Sequence, residues 1–157
     1  MTKDQARKLL KLGDFLYTLP RKLFNYNSVM AKGSKEPLDA LKAGGGCGTK
    51  GCAMGWLPAI FPRTFAWRGD RWWPDSELDI FLKANPQLST FRSVEIYFGL
   101  DADEAEFLFQ PSYSNGDGET SPEGDASAKE VGRHIRRFVY ARYPDLRPSR
   151  NRGKVSS

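Results

Sequence analysis

The chain has 157 residues, of which 39% are hydrophobic, so it can build one hydrophobic core but is too short for two full domains. It contains no run of roughly 18 apolar residues, which a membrane span needs, and its N-terminus lacks the apolar block of a signal peptide. The sequence therefore predicts a cytoplasmic protein with no membrane partner.

The formal net charge of +5 is unevenly distributed along the chain. Residues 101–130 contain nine acidic residues, whereas residues 133–154 contain eight basic residues and one acidic residue. Together with a high content of glycine and serine, this pattern predicts a single helical domain at 1–143 and a disordered basic tail at 144–157. The domain includes a mobile acidic loop at 112–127.

The N-terminal part of the chain is predicted to be helical. Apolar residues recur at helical spacing over residues 3–18, and Pro20 ends that helix. Residues 21–31 carry enough apolar positions for a short second helix. A third helix is predicted over residues 37–43, and the triple glycine at 44–46 ends it.

The middle of the chain is predicted to contain one helix and the only sheet. Thr49 is placed as the N-cap of a compact apolar helix that ends before Pro62. Aromatic runs on either side of the turn Arg68-Gly69-Asp70 then predict a β-hairpin over residues 64–73.

Helical periodicity returns in the second half. It marks residues 77–82 and 88–97, a helix capped by Asp101, and a final helix at 127–142. The predicted fold is mainly α: an irregular single-domain helical bundle with one short β-hairpin.

One segment resembles a known signature. Cys47-Gly48-Thr49-Lys50-Gly51-Cys52-Ala53-Met54-Gly55-Trp56 is similar to the Cys-Gly-Thr-x-x-Cys-x-x-Gly-(Trp/His) motif of small uncharacterised proteins from bacteriophages, prophages and bacteria, and the later Phe98-Gly99-Leu100 block resembles a second feature of them. The resemblance implies a phage-like origin, and many small phage proteins bind a host enzyme or defence complex. The motif residues expected to have a structural role are Cys47, Gly48, Thr49, Cys52, Gly55 and Trp56.

The two cysteines allow two interpretations. On the predicted helix, Cys52 would lie in the first turn, where the helix dipole favours a thiolate, and Cys47 could approach it as a redox partner. Both could equally be small residues that pack a tight junction. A cysteine catalyst would need His134, the only histidine. With so few ligands we predict no metal site, no cofactor and no catalytic residue.

The signals for a binding partner are basic and aromatic. Three arginines occupy neighbouring positions on the last predicted helix, and tryptophans alternate with arginines in the hairpin. The predicted partner-binding residues are Trp67, Arg68, Arg71, Trp72, Trp73, Arg133, Arg136 and Arg137.

Three functions are compatible with these patterns. The first is a non-enzymatic accessory protein of phage type that binds and modulates or inhibits a host macromolecule, most simply a host protein. The second is a nucleic-acid-binding protein that uses the basic helix and tail. The third is a thiol-dependent enzyme or redox protein that uses Cys47 and Cys52.

Overall fold

The computed structural model describes residues 1–26, 28–69, 76–109 and 126–149. Within these ranges the chain forms six α-helices and a small four-stranded antiparallel sheet. The fold is therefore mixed α and β, and the predicted bundle with a single hairpin described only its helical part.

The longest helices pack against each other. Helix α1 spans Lys3–Thr18 and begins with a capping box between Thr2 and Gln5, and helix α6 spans Ala128–Arg142. They approach closely because glycines face each other, since a Cβ at Gly132 would lie 2.8 Å from the carbonyl oxygen of Gly13. Both predicted helices are confirmed.

The remaining helices are shorter than the long pair. They are α2 (Pro37–Ala43), α3 (Leu57–Ile60), α4 (Thr90–Phe98) and α5 (Ala102–Phe109). Asp101 caps α5 as predicted, because its carboxylate accepts the N–H of Glu104 at 2.8 Å.

The sheet consists of β1 (Met30–Ala31), β2 (Lys50–Gly51), β3 (Phe65–Gly69) and β4 (Glu77–Leu82), in the spatial order β2-β1-β4-β3. All neighbouring strands are antiparallel. The inner face carries the fully buried Met30 and Ile80, which join the core formed by the helices.

Two of the predicted helices were wrong. Residues 21–31 form a 3-10 turn at Arg21–Leu23 followed by β1, and residues 77–82 form β4. In β4 the buried residues are Ile80 and Leu82, two positions apart, which is the period of a strand. Over six residues this pattern cannot be distinguished from helical spacing.

The prediction that a helix starts at Thr49 was also wrong for the first residues of that helix. That segment is β2, a 3-10 turn at Met54–Trp56, and only then α3. Its glycines allow the chain to lie against the backbone of the preceding segment, since a Cβ at Gly55 would be 1.5 Å from the carbonyl oxygen of Val29. Strand pairing thus replaces the first helical turns.

The predicted hairpin is present with a different second strand. Strand β3 pairs with β4 from Phe65 opposite Leu82 to Gly69 opposite Leu78. The predicted second strand at 71–73 lies outside the described residues, together with Asp70 of the predicted turn.

The described chain continues beyond residue 143, up to residue 149. Pro144–Leu146 forms a 3-10 turn, Lys3 pairs with Asp145, and the Tyr143 hydroxyl donates to the Met1 carbonyl at 2.6 Å. Residues 150–157 of the predicted tail lie outside the described residues, as do residues 112–125 of the predicted acidic loop. No helix in the described part of the chain is long and apolar enough to cross a membrane.

Candidate functional site

A glycine-rich loop follows α2. Helix α2 ends at Gly44, whose φ is 76°, and Gly45, Gly46 and Gly48 have φ values of 97°, 87° and 84°. Side chains with a Cβ rarely adopt this left-handed region, so the path of the loop depends on glycine at these positions.

The buried Thr49 fastens this loop to the segment before α2. Its hydroxyl accepts the N–H of Gly33 at 2.9 Å and donates to the carbonyl of Lys35 at 2.5 Å. The Cys47 carbonyl accepts the N–H of Ser34 at 2.9 Å. Thr49 is therefore a link between two loops, and its predicted role as a helix cap was wrong because the hydroxyl is used by distant backbone groups.

The two cysteines have opposite environments. Cys52 is buried, and burial raises the pKa of its thiol. Cys47 is partly exposed, and the backbone N–H of Thr49 donates to its sulfur, which lowers the pKa of the Cys47 thiol. Both are free thiols. Cys52 lies outside any helix, so the predicted helix dipole does not act on it.

His134 lies at the contact between α5 and α6. Its Nε2 atom is 3.0 Å from the carbonyl oxygen of Phe107, and its ring packs on the Phe107 ring with centroids 4.3 Å apart. This environment gives His134 a structural part in joining the two helices. In the described ranges, no group of three or more His, Cys, Asp and Glu side chains is arranged to hold a metal ion.

Trp56, the tryptophan of the motif, packs against Trp67, which was predicted to bind a partner. Trp56 is fully buried, and the Trp67 ring meets it edge-on with centroids 6.5 Å apart. The Trp67 indole N–H donates to the carbonyl of Gly55 at 2.7 Å. Trp67 is thus fixed against the motif and stabilises the core.

The exposed part of the hairpin carries Arg68. Its guanidinium donates to the carbonyl of Pro86 at 2.6 Å and lies over the Phe81 ring, 5.0 Å from the centroid. The other predicted hairpin residues, Arg71, Trp72 and Trp73, lie outside the described residues.

Two of the three predicted arginines on α6 bind α1. Arg136 donates twice to Asp14, at 2.7 and 3.2 Å, and stacks on Tyr17 at 4.0 Å from the ring centroid. Arg133 donates to the Tyr17 hydroxyl at 3.1 Å, which lowers the pKa of Tyr17. Arg137 is exposed. The pairing across α1 and α6 could not be read from the arginine spacing alone.

An open cleft of about 770 Å³ lies beside the glycine-rich loop, between α2 and the segment before it. Its lining is polar or small and holds three lysines, which we call the basic cleft. The lining residues are Lys32, Gly33, Ser34, Lys35, Glu36, Asp39, Lys42 and Ala43. The cleft is not marked by a run of basic residues, because acidic residues are interspersed with its lysines along the chain.

A fourth lysine borders the loop on another side. A Cβ at Gly45 would lie 2.9 Å from the Cβ of Lys22, so Lys22 packs directly against the loop.

No protein-family model, no curated protein and no solved structure matches the chain. The basic cleft and the loop beside it are therefore the basis on which a function can be assigned.

Replacing Thr49 by Val should destabilise the fold by about 1–3 kcal/mol, because the isosteric side chain leaves the N–H of Gly33 and the carbonyl of Lys35 without their partner. The midpoint of urea unfolding measures this loss. Thr49→Ser is the matched control, since it keeps the hydroxyl and removes one methyl group. A stable Thr49→Val beside a destabilised Thr49→Ser would show that methyl packing, and not the hydrogen bonds, holds the loop.

Cys47 should alkylate faster than Cys52 near neutral pH, by about tenfold or more. A lowered pKa increases the thiolate fraction of Cys47 at pH 7, whereas burial keeps Cys52 protonated and inaccessible. Iodoacetamide labelling of a Cys52→Ser variant reports Cys47, and labelling of Cys47→Ser reports Cys52. The labelling rate of Cys47 should rise with pH and level off at a lower pH than the rate of an ordinary thiol does. Similar rates in the folded variants would contradict this assignment.

Proposed function

We propose that this chain is a non-enzymatic accessory protein of phage type that binds a host macromolecule in the cytoplasm and thereby modulates or inhibits it. The phage origin is supported by the motif from Cys47 to Trp56, which resembles that of small phage proteins. The observation that carries the binding function is the basic cleft beside the glycine-rich loop.

The charges of the basic cleft favour an anionic partner. Lys32 is paired with Glu36 at 3.1 Å, whereas Lys35 and Lys42 form no ion pair with any residue in the described ranges. Both are exposed. Exposed cations on a concave surface attract an oppositely charged partner and accelerate its association.

The placement of the nucleophilic and basic groups favours binding over catalysis. Cys52 is in the core, and His134 packs between α5 and α6. A catalytic pair needs a nucleophile and a base within hydrogen-bond reach of each other. These two positions instead serve packing.

The hairpin is proposed as a second contact with the partner. Arg68 is exposed at the end of β3, and the residues that follow include Arg71, Trp72 and Trp73. Tryptophan and arginine are the residues that most often dominate binding energy at protein interfaces. On α6, exposed Arg137 is the position that we propose for partner contact, because Arg133 and Arg136 hold α1.

One observation favours a second candidate function. Cys47 is a partly exposed thiol with a lowered pKa, in a loop that borders the basic cleft. This environment is typical of cysteines that react with electrophiles or disulfides. A thiol-dependent function would therefore use Cys47 and not Cys52.

Charge reversal in the basic cleft should strongly reduce capture of the host partner. We expect the triple variant K32E/K35E/K42E to recover about tenfold less partner than the wild type from a bacterial host lysate, because the attraction becomes a repulsion. The lysate is divided into nuclease-treated and untreated halves, and bound proteins and nucleic acids are identified in both.

The matched control is K8E/R63E/K129E, which reverses three exposed charges outside the cleft lining and outside the proposed contacts. Equal loss of capture in both triple variants would reject the cleft as the binding surface. A W72A/W73A variant tests the hairpin separately, and unchanged capture would remove the hairpin from the proposed interface.

A further inference from the structure

Resting on the proposed binding function, we propose that the basic cleft binds the phosphate groups of a nucleic-acid backbone without reading its sequence. This site is distinct from the helix and tail that the sequence indicates for nucleic-acid binding. It is formed by Lys32, Lys35 and Lys42, with Lys22 beside the loop.

The first support is that three lysines of the stretch from Lys32 to Ala43 line the same cleft. Lys32 and Lys35 precede α2, Lys42 lies in its last turn, and all three line one cleft of about 770 Å³. The cleft is open, so a phosphate group of a long polymer can reach its lysines. Lysine binds phosphate as a flexible point charge and needs no fixed orientation of the ligand.

The second support is a set of backbone donors in the glycine-rich loop. The N–H groups of Gly46 and Gly48 have no acceptor among the described residues, and both glycines are exposed. Gly48 packs on Gly33, a lining residue, since a Cβ at Gly48 would be 3.7 Å from the Gly33 Cα. Loop N–H groups and lysines only donate hydrogen bonds, and phosphate oxygens only accept them.

The third support distinguishes a nucleic acid from an acidic protein. Protein interfaces are enriched in aromatic residues and depleted in lysine. The cleft shows the opposite composition, because its lining includes three lysines and no aromatic or large aliphatic side chain. Phosphate contacts supply most of the sequence-independent affinity for nucleic acids. Since no ring in the lining can stack on a base, the affinity should come from charge alone.

The acidic residues of the cleft oppose this binding and therefore provide a test of direction. Glu36 holds the Lys32 ammonium at 3.1 Å, and Asp39 also lines the cleft. If phosphate binds here, E36Q should bind more tightly than the wild type because it frees Lys32 and removes a repulsive charge. A structural role for Glu36 alone would predict unchanged or weaker binding.

The experiment is fluorescence anisotropy with a labelled random-sequence DNA duplex, at salt concentrations from about 50 to 200 mM. The logarithm of affinity falls with the logarithm of salt by about 0.9 for each phosphate neutralised. We expect K32Q/K35Q/K42Q to reduce this slope by about 2–3, and K8Q/R63Q/K129Q, which removes the same charge outside the cleft lining, to preserve most of it. All variants are compared with the wild type in urea unfolding to confirm that they fold.

Three outcomes would overturn the inference: no binding by the wild type, an equal loss of slope in both triple variants, or displacement of the duplex by polyglutamate as readily as by unlabelled DNA. The first two reject a phosphate site in the cleft, and the third favours an acidic protein. The proposed function is tested separately. It would still hold, even without DNA binding, if a nuclease-resistant host protein were captured by the wild type and lost in K32E/K35E/K42E.

Discussion

The buried hydroxyl of Thr49 is the interaction on which the candidate site depends. The loop after α2 has four glycines at positive φ, and glycine loses more conformational entropy on folding than any other residue. The hydrogen bonds from Thr49 to Gly33 and Lys35 offset part of this cost. They also bring together two loops that are separated in the sequence, and one of these loops contains Gly33 and Lys35, which line the cleft.

The contact between α1 and α6 explains why a basic segment need not be a binding surface. The glycines at the crossing let the two backbones approach, and this brings α6 arginines within reach of Tyr17 and Asp14 on α1. Arg136 and Arg133 then serve the packing of the helices, partly through stacking on an aromatic ring. In the α2 region Lys35 and Lys42 are exposed and form no ion pair with any residue in the described ranges.

Much of the helical structure could be predicted because its signals are local. The amphipathic pattern and capping residues define α1 and α6, and proline and glycine bound α2. The sheet was less accessible to prediction. Strands β1 and β2 have two residues each, and β4 has an apolar pattern that fits either period.

The candidate site was harder to predict than the helices because non-local contacts create it. The motif identified Cys47 and Thr49 as structurally important, but the actual partners of the Thr49 hydroxyl are 14 and 16 residues away. The lysines of the basic cleft are interspersed with Glu36 and Asp39, so no charge run marks them. Trp67, by contrast, carried a strong aromatic signal, and its indole N–H is used inside the protein.

The measurement that tests the central claim most directly is a ¹⁵N–¹H NMR titration of the wild-type protein with a short DNA duplex. Glycine amides resonate in a distinct region of the spectrum, so Gly33, which lines the cleft, and Gly46 and Gly48 of the adjacent loop report on binding there. The account predicts that these resonances shift first and that the shifts reverse at high salt. Shifts confined to α6 and the residues after it, with the loop glycines unchanged, would contradict it.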